Sequence, residues 1–202
     1  MKIICIGRNY AEHAKELGNT IPDEPVIFCK PDTALLKNNE PFYIPTFSND
    51  IHHEIEVVIK IDKMGKSIAP QFAHKYYSEF TLGIDFTARD LQTKLKTKGL
   101  PWELAKAFDN SAVVGDFVSK EGYDLNQLEF TLLKNNAVVQ QGNTNQMLHT
   151  IDNIISFVSH YFTLKTGDLI FTGTPAGVGS VAIGDQLKGQ IATREFFNFD
   201  IR

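Results

Sequence analysis

Cysteine is scarce in this chain. Cys5 and Cys29 are the two present in 202 residues, and each lies inside an apolar, strand-like segment. That pattern excludes a disulfide scaffold and predicts reduced thiols in a cytoplasmic setting. Long hydrophobic runs are missing as well: no segment approaches the roughly 18 apolar residues of a membrane span, so no membrane partner is expected. The apolar run after Met1-Lys2 is too short for a signal sequence. There is no excess of positive charge either. With 20 Lys and Arg against 24 Asp and Glu, the net charge is −4, and no Lys/Arg run offers a surface to nucleic acid. Repeats, low-complexity stretches and an interdomain linker are absent. The 43% hydrophobic content suffices for a full core, and residues 1–202 are expected to form one domain.

The chain is organised around Ile51-His52-His53-Glu54-Ile55-Glu56-Val57-Val58-Ile59-Lys60-Ile61. It is rich in β-branched residues and alternates with period two, which predicts a strand. Ile55, Val57, Ile59 and Ile61 share one face; Glu54, Glu56 and Val58 share the other, so the two carboxylates stand side by side. Like charges that close raise one pKa or call for a cation between them, and a hard divalent ion with oxygen ligands meets that need. A half-exposed strand with an acidic outer face accounts for the same pattern. Phe80 to Ile84 is a second strand, and Asp85 at its end is placed to complete a three-carboxylate site or to cap the helix that starts at Phe86.

Other segments carry weaker signals. Ile3 to Ile6 forms a strand closed by Gly7. A helix follows over residues 9–18, with Asn9 as N-cap, Glu12 in a capping box and Gly18 as the stop. His13 and Glu16, three apart, share a helical face, as a general base and its orienting carboxylate would, or as a plain surface pair would. Val26 to Lys30 is a strand stopped by Pro31, and Lys30 either reaches into a site or, the simpler reading, marks its solvated end. Pro70 to Tyr77 is expected to be a short helix. The helix after Asp85 runs to about Lys98, stops at Gly99, and sets Arg89 and Gln92 along one side of a pocket. Lys106 sits among apolar neighbours, either as a functional cation or as a snorkelling lysine. Residues 116–118 and 128–134 read as strands, with an Asn135-Asn136 hairpin turn. Residues 152–162 have helical spacing, with Ile154, Ile155, Val158, Tyr161 and Phe162 on one apolar stripe, and His149 and His160 are assigned to the surface or a cap. Thr172 to Gly179 lacks the Gly-Lys-Ser/Thr of a phosphate loop; it reads as a carboxylate nest or as a plain turn. Glu195 to Ile201 is a closing strand.

Taken together, Gly7-Arg8-Asn9-Tyr10 with His13 and Glu16, Phe28-Cys29-Lys30-Pro31, His52-His53-Glu54-Ile55-Glu56, Asp85-Phe86-Thr87-Ala88-Arg89-Asp90, Lys98-Gly99-Leu100-Pro101-Trp102 with Lys106, and Thr172-Gly173-Thr174-Pro175-Ala176-Gly177-Val178-Gly179 resemble the fumarylacetoacetate hydrolase family. The likeness is to its short acylpyruvase and oxaloacetate decarboxylase branch. It implies an α+β, mostly β fold of rolled mixed sheets with short peripheral helices, and a homodimer. It implies Mg²⁺ or Mn²⁺ on Glu54, Glu56 and Asp85, and a water-activating His13–Glu16 dyad on a mobile lid helix over residues 9–18. Lys106 would be catalytic, with Arg89, Gln92, Gly173 and Thr174 binding a small 2-oxo acid. The implied activity is hydrolysis of acylpyruvates such as acetylpyruvate or fumarylpyruvate to pyruvate and a carboxylic acid, together with decarboxylation of oxaloacetate. An isomerase of 2-hydroxy-diene or 2-oxo-ene dioates and a non-catalytic 2-oxo acid binding protein are the alternatives on the same scaffold.

Overall fold

The computed structural model describes residues 1–18 and 20–202. Strand β1 (Ile3–Gly7) leads into helix α1 (Ala11–Glu16), followed by β2 (Val26–Lys30), β3 (Leu35–Leu36), β4 (Ile51–His53) and β5 (Ile55–Ile61). The middle of the chain contributes α2 (Pro70–Ala73), β6 (Tyr77–Asp85), β7 (Thr87–Ala88), α3 (Arg89–Thr97), α4 (Glu103–Lys106), β8 (Ala112–Val114) and β9 (Val118–Ser119). The hairpin of β10 (Glu129–Lys134) and β11 (Ala137–Asn143), helix α5 (Ile151–Tyr161), and strands β12 (Leu169–Phe171), β13 (Gly179–Ser180), β14 (Gln186–Ile191) and β15 (Arg194–Asp200) complete it. The largest sheet runs in the order β2-β1-β12-β5-β6-β8-β3, with β9 on β6; a second runs β11-β10-β14-β15 and a third β13-β4-β7. Pairing is mixed: β1–β12 and β3–β8 are parallel, whereas β5 is antiparallel to both β12 and β6. The fold is mostly β, with rolled mixed sheets and short helices around them.

Both faces of the main sheet are buried, and the alternation of its strands explains how. Ile4, Ile6, Val57, Ile59, Leu82, Ile84, Val113 and Ile170 enter one hydrophobic cluster. Ile3, Cys5, Val58, Ala112, Val114, Leu169 and Phe171, their neighbours in sequence, enter another on the opposite face. A strand covered on both sides reads as a near-continuous apolar run, as β1 and β12 do. The face of Glu54, Glu56 and Val58 is therefore interior and not a half-exposed acidic surface.

Several local expectations are corrected. Asn9 is not the cap of α1; Tyr10 holds that position with no side-chain hydrogen bond. The Asn9 amide is buried, donating to Thr172 O (2.8 Å) and His149 O (3.1 Å), while His149 N donates to its Oδ1 (2.8 Å). The helix after Asp85 starts at Arg89 with Ala88 before it, because Thr87 and Ala88 pair with β4. Helix α2 ends at Ala73, and Tyr77 opens β6. The strand near residue 117 is displaced to β9, and β8 before it escaped the sequence pattern because it is short and broken by Gly115. Tyr161 lies off the apolar stripe of α5, 62% exposed. Asn135 and Asn136 do form the hairpin turn, with φ of 54° and 65°, the left-handed pair such turns require.

Asp168 ties the N-terminal strand to the turn before β12. It accepts Lys2 N (2.8 Å) and Lys165 N (2.8 Å) and pairs with Lys2 Nζ (2.5 Å). Burial alone would raise its pKa, but the Lys2 side chain and the two amides override it and hold the carboxyl below its ordinary value of 3.8. A carboxylate lowered by folding stabilises fully above its unfolded value and loses that contribution as pH falls through the folded one. Asp168→Ala is expected to reduce stability by about 1–3 kcal/mol at pH 7. The gap in urea midpoint between the two proteins should narrow below about pH 4; a gap that stays constant into that range would contradict this account.

Candidate active site

Strand register builds the centre of the site. Ile55 pairs with Ile84 and Glu56 with Gly83, so continuing the ladder by one step sets Glu54 opposite Asp85, whose N–H donates to Glu54 O at 2.9 Å. Residues i and i+2 of one strand and the cross-strand partner of i share a face. Carboxylate oxygens of Glu54, Glu56 and Asp85 accordingly lie within 4.8 Å of one another, and all three residues are buried. Gly83, opposite Glu56, leaves room that a side chain would remove: a Cβ there would stand 2.5 Å from Val113 O and 2.8 Å from Val58 Cγ2.

Three cations converge on this cluster from different elements. Lys106, from the last turn of α4, places Nζ 2.8 Å from Glu54 Oε2, 2.7 Å from Asp85 Oδ2 and 2.5 Å from Thr87 Oγ1. Lys30, at the end of β2, lies 2.8 Å from Asp85 Oδ1, an ion pair outside hydrogen-bond geometry. It donates to Ser111 Oγ (2.9 Å) and to the Lys106 carbonyl. Arg89, the first residue of α3, donates to Glu54 Oε1 (2.5 Å) and to Gln92 Oε1 (2.6 Å). His52, held by Asp50 at 2.9 Å, accepts its Nε.

The charges of the three carboxylates are answered unequally. Burial would raise Glu54, yet Lys106 and Arg89 hold its carboxyl well below the usual range. Burial likewise opposes the charge on Lys106, but Asp85 and Glu54 outweigh it and raise its pKa. Glu56 stands apart. Among the described residues no Lys or Arg lies within salt-bridge distance of it, and its Oε2 accepts only the Gly173 amide at 2.6 Å. Burial first, then Asp85, push its carboxyl well above the usual carboxylate value. This is a donor set short of positive charge at one point, and a hard divalent cation among the three carboxylates fits it.

A small cavity of about 40 Å³ opens over the cluster, lined also by Arg8, His13, Phe28, Lys96, Trp102 and Thr174. His13 Nδ1 lies 3.2 Å from Glu16 Oε2, and Glu16 Oε1 accepts Gly177 N at 3.0 Å. The orienting carboxylate is thus itself oriented by the loop over residues 172–179. Thr174 Oγ1 accepts Gln140 Nε2 at 2.9 Å and donates to Pro175 O at 3.5 Å, while its side chain lines the cavity. His13, Glu54, Glu56, Asp85, Arg89, Gln92, Lys106 and Thr174 line this cavity; Glu16 and Gly173 do not, and meet it through His13 and Glu56, while the donors of Lys106 point at protein groups.

The family model for the C-terminal domain of fumarylacetoacetate (FAA) hydrolase matches residues 2–197. This chain belongs to the fumarylacetoacetate hydrolase family. An oxaloacetate decarboxylase of Dictyostelium discoideum, described as mitochondrial, is 46% identical over 189 residues, covering 93% of this chain and 87% of that protein. An oxaloacetate tautomerase of Mus musculus, also described as mitochondrial, is 43% identical over 190 residues, 94% of this chain and 86% of that one. The crystal structure of fumarylpyruvate hydrolase from Pseudomonas aeruginosa in complex with Mn²⁺ and pyruvate superposes with a TM-score of 0.94 at 33% identity, covering 100% of this chain and 89% of that one. Among the described residues, no helix of this family member is long and apolar enough to cross a membrane.

Sequence reasoning missed some of the site. Lys30 is a buried ion-pair partner, not a solvated strand end; a lysine closing an otherwise apolar run before a proline was the available signal. Gln140, 1% exposed, joins His53 Nδ1 (2.9 Å), Ile55 N (3.1 Å) and Thr174, and nothing in a hairpin strand marks it out. Because removing one partner of a buried ion pair leaves the other charge uncompensated, Lys30→Met is expected to lose about 3–5 kcal/mol. A denaturant titration giving a loss below about 1 kcal/mol, the level of a surface pair, would show that Lys30 is not needed to hold Asp85.

Proposed function

We propose that this chain is a divalent-metal enzyme acting on small 2-oxo acids at the carbon beside the keto group, whose bond to the distal carbonyl or carboxylate it breaks. The observation that carries the reading is the buried carboxylate cluster, under-compensated at Glu56, sharing one cavity with the His13–Glu16 dyad. Glu54, Glu56 and Asp85 would hold Mg²⁺ or Mn²⁺, since both suit an all-oxygen site. When bound, the ion supplies Lewis acidity to a chelating keto acid. Arg89, Gln92 and Thr174 orient the substrate carboxylate. Glu16 fixes the proton of His13 on Nδ1 and leaves Nε2 as the base. For an acylpyruvate, His13 takes a proton from water and the hydroxide attacks the distal carbonyl; the C–C bond between that carbonyl and the methylene then breaks, the carboxylic acid leaves, and the pyruvate enolate takes the proton back from His13. Lys106 and Lys30 keep the carboxylates in register throughout.

Oxaloacetate is the second substrate in this reading. Relatives named for oxaloacetate decarboxylation and tautomerisation, at 46% and 43% identity, favour it, and neither reaction consumes water. We further read residues 1–202 as one catalytic domain and α1 as its lid. The exposed contact of Glu16 with Gly177 is the one such a movement would break, and closure would exclude bulk water. A homodimer completes the proposal. An apolar groove with Phe47 51% exposed and Leu104 70% exposed is a surface of the kind that marks association.

His13→Ala is expected to lower acetylpyruvate or fumarylpyruvate hydrolysis by about 10²–10⁴-fold. Decarboxylation of oxaloacetate should fall much less, because it needs no activated water. Spectrophotometric assays with Mg²⁺ or Mn²⁺, with and without chelator, measure both. A wild-type enzyme that leaves acetylpyruvate, fumarylpyruvate and oxaloacetate all unchanged with either ion present would refute the proposal.

A further inference from the structure

Gln140 reaches the site from the second sheet. It stands on β11, 1% exposed, and its carboxamide uses both donors and both acceptor lone pairs. Oε1 accepts Ile55 N at 3.1 Å and His53 Nδ1 at 2.9 Å, while Nε2 donates to Pro175 O at 3.0 Å and to Thr174 Oγ1 at 2.9 Å. The orientation of the group is dictated by the backbone. Ile55 N–H can only donate and Pro175 O can only accept, so a flipped carboxamide would set donor against donor and acceptor against acceptor. These two backbone groups fix the side chain, and the side chain then decides two roles that are otherwise open. His53 must carry its proton on Nδ1, and Thr174 Oγ1 must accept.

The anchors lie where the site is assembled. Ile55 stands between Glu54 and Glu56, at the point where the chain leaves β4 of the third sheet and enters β5 of the main one. Pro175 belongs to the loop over residues 172–179, and that loop rests on β11. A Cβ at Gly142 would stand 2.9 Å from Pro175 Cγ, and one at Gly177 would stand 2.6 Å from Val139 O. Gln140 is thus the polar link between the loop and the strand of the carboxylates.

Thr174 has one proton to place. Inside the protein it reaches Pro175 O at 3.5 Å, and Gln140 already serves that carbonyl at 3.0 Å. A hydrogen bond at that length is weak, and its acceptor would not be orphaned by losing it. Donation from Gln140 also polarises the hydroxyl toward giving its own proton. Thr174 lines the cavity over the carboxylates, so an anionic oxygen entering there meets a donor that is free to turn to it.

We propose that Gln140 is a positioning residue of this enzyme, holding Thr174 as a hydrogen-bond donor to the carboxylate of a bound 2-oxo acid. Gln140 itself touches neither substrate nor ion and acts through Thr174. This rests on the reading of the cavity as a 2-oxo acid site and adds to it what sets the polarity of the loop that binds the acid. A glutamine that served only to join two sheets would have no dependence on the Thr174 hydroxyl.

The test is calorimetric binding of pyruvate to the protein at saturating Mn²⁺. Thr174→Val is expected to weaken pyruvate about tenfold, the loss of one hydrogen bond to a charged group, whereas Thr174→Ser, which keeps the donor, should bind close to wild type. Gln140→Met should weaken pyruvate by a similar factor in the wild-type background, but by less than about twofold in the Thr174→Val background, because the two residues act as one unit. Pyruvate bound equally well by Thr174→Val and wild type overturns the inference while the 2-oxo acid reading stands. So does a Gln140→Met loss that is undiminished in the Thr174→Val background. Wild type supplies a check that needs no variant of Gln140 to fold: ¹⁵N NMR should find His53 protonated on Nδ1 and bare on Nε2, and the opposite tautomer overturns the inference. Failure of wild type to bind pyruvate with the ion present would sink the 2-oxo acid reading and the inference with it.

Discussion

Three carboxylates held within 4.8 Å of one another and away from water repel strongly. At an effective dielectric of about 20, each like-charged pair at that distance is unfavourable by about 3 kcal/mol, so three pairs approach about 10 kcal/mol. A domain of this kind has a net stability of only about 5–15 kcal/mol. The cluster is therefore compatible with a folded protein because positive charge is delivered to it, in the first place by the fold itself. Lys30, Lys106 and Arg89 carry that charge, and their positions govern much of the surrounding architecture.

Each arrives on a different element, and the elements are bound to one another. Lys30 reaches the site because β2 pairs with β1 in a register that sets Lys30 opposite Ile3, and so on the same face as Val58 and the carboxylates. Its ammonium also binds the Lys106 carbonyl and Ser111 Oγ, and Ser111 donates to that same carbonyl at 2.9 Å. One cation thus fixes the backbone from which the other extends. The pairing accounts for Glu54 and Asp85 but leaves Glu56 with a single amide donor. The difference matters chemically. A cluster neutralised at every member would be a structural knot, whereas one short of charge at a single oxygen-rich point still has affinity for an incoming ion.

What could be read from the sequence follows from how local each relationship is. Glu54 and Glu56 needed only the two-residue period of a strand, and Asp85 needed only its place at a strand end. The one-step continuation of the β5–β6 register does the rest. His13 and Glu16 were visible as an i, i+3 pair, although their spacing alone fits a surface contact as well as a base. Lys30 and Lys106 were not separable from snorkelling lysines, because their partners lie 55 and 52 or 21 residues away and burial is set by sheet packing. For Lys106 it was the family likeness, not its local pattern, that singled it out. Arg8, whose φ is 60°, was hidden for another reason: arginine has no tendency toward left-handed backbone, so nothing in its neighbours announces the turn. The main-sheet strands were legible wherever they exceeded four residues; β7, β8 and β13 are too short to show a period.

The loop over residues 172–179 is where these strands of argument meet. Its Gly173 amide is the hydrogen-bond donor to Glu56, its Thr174 hydroxyl faces the cavity, and its Gly177 amide holds the free oxygen of Glu16. Gly173 adopts φ of 103°, and a Cβ there would stand 2.7 Å from Asn9 Cβ, so the loop and the Arg8–Asn9 turn are packed as one unit. Glu16 can orient His13 with one oxygen and remain on the loop with the other only while α1 is seated. The placement of His13, Glu56 and Arg8 therefore depends on a single seating of residues 8–16 against this loop.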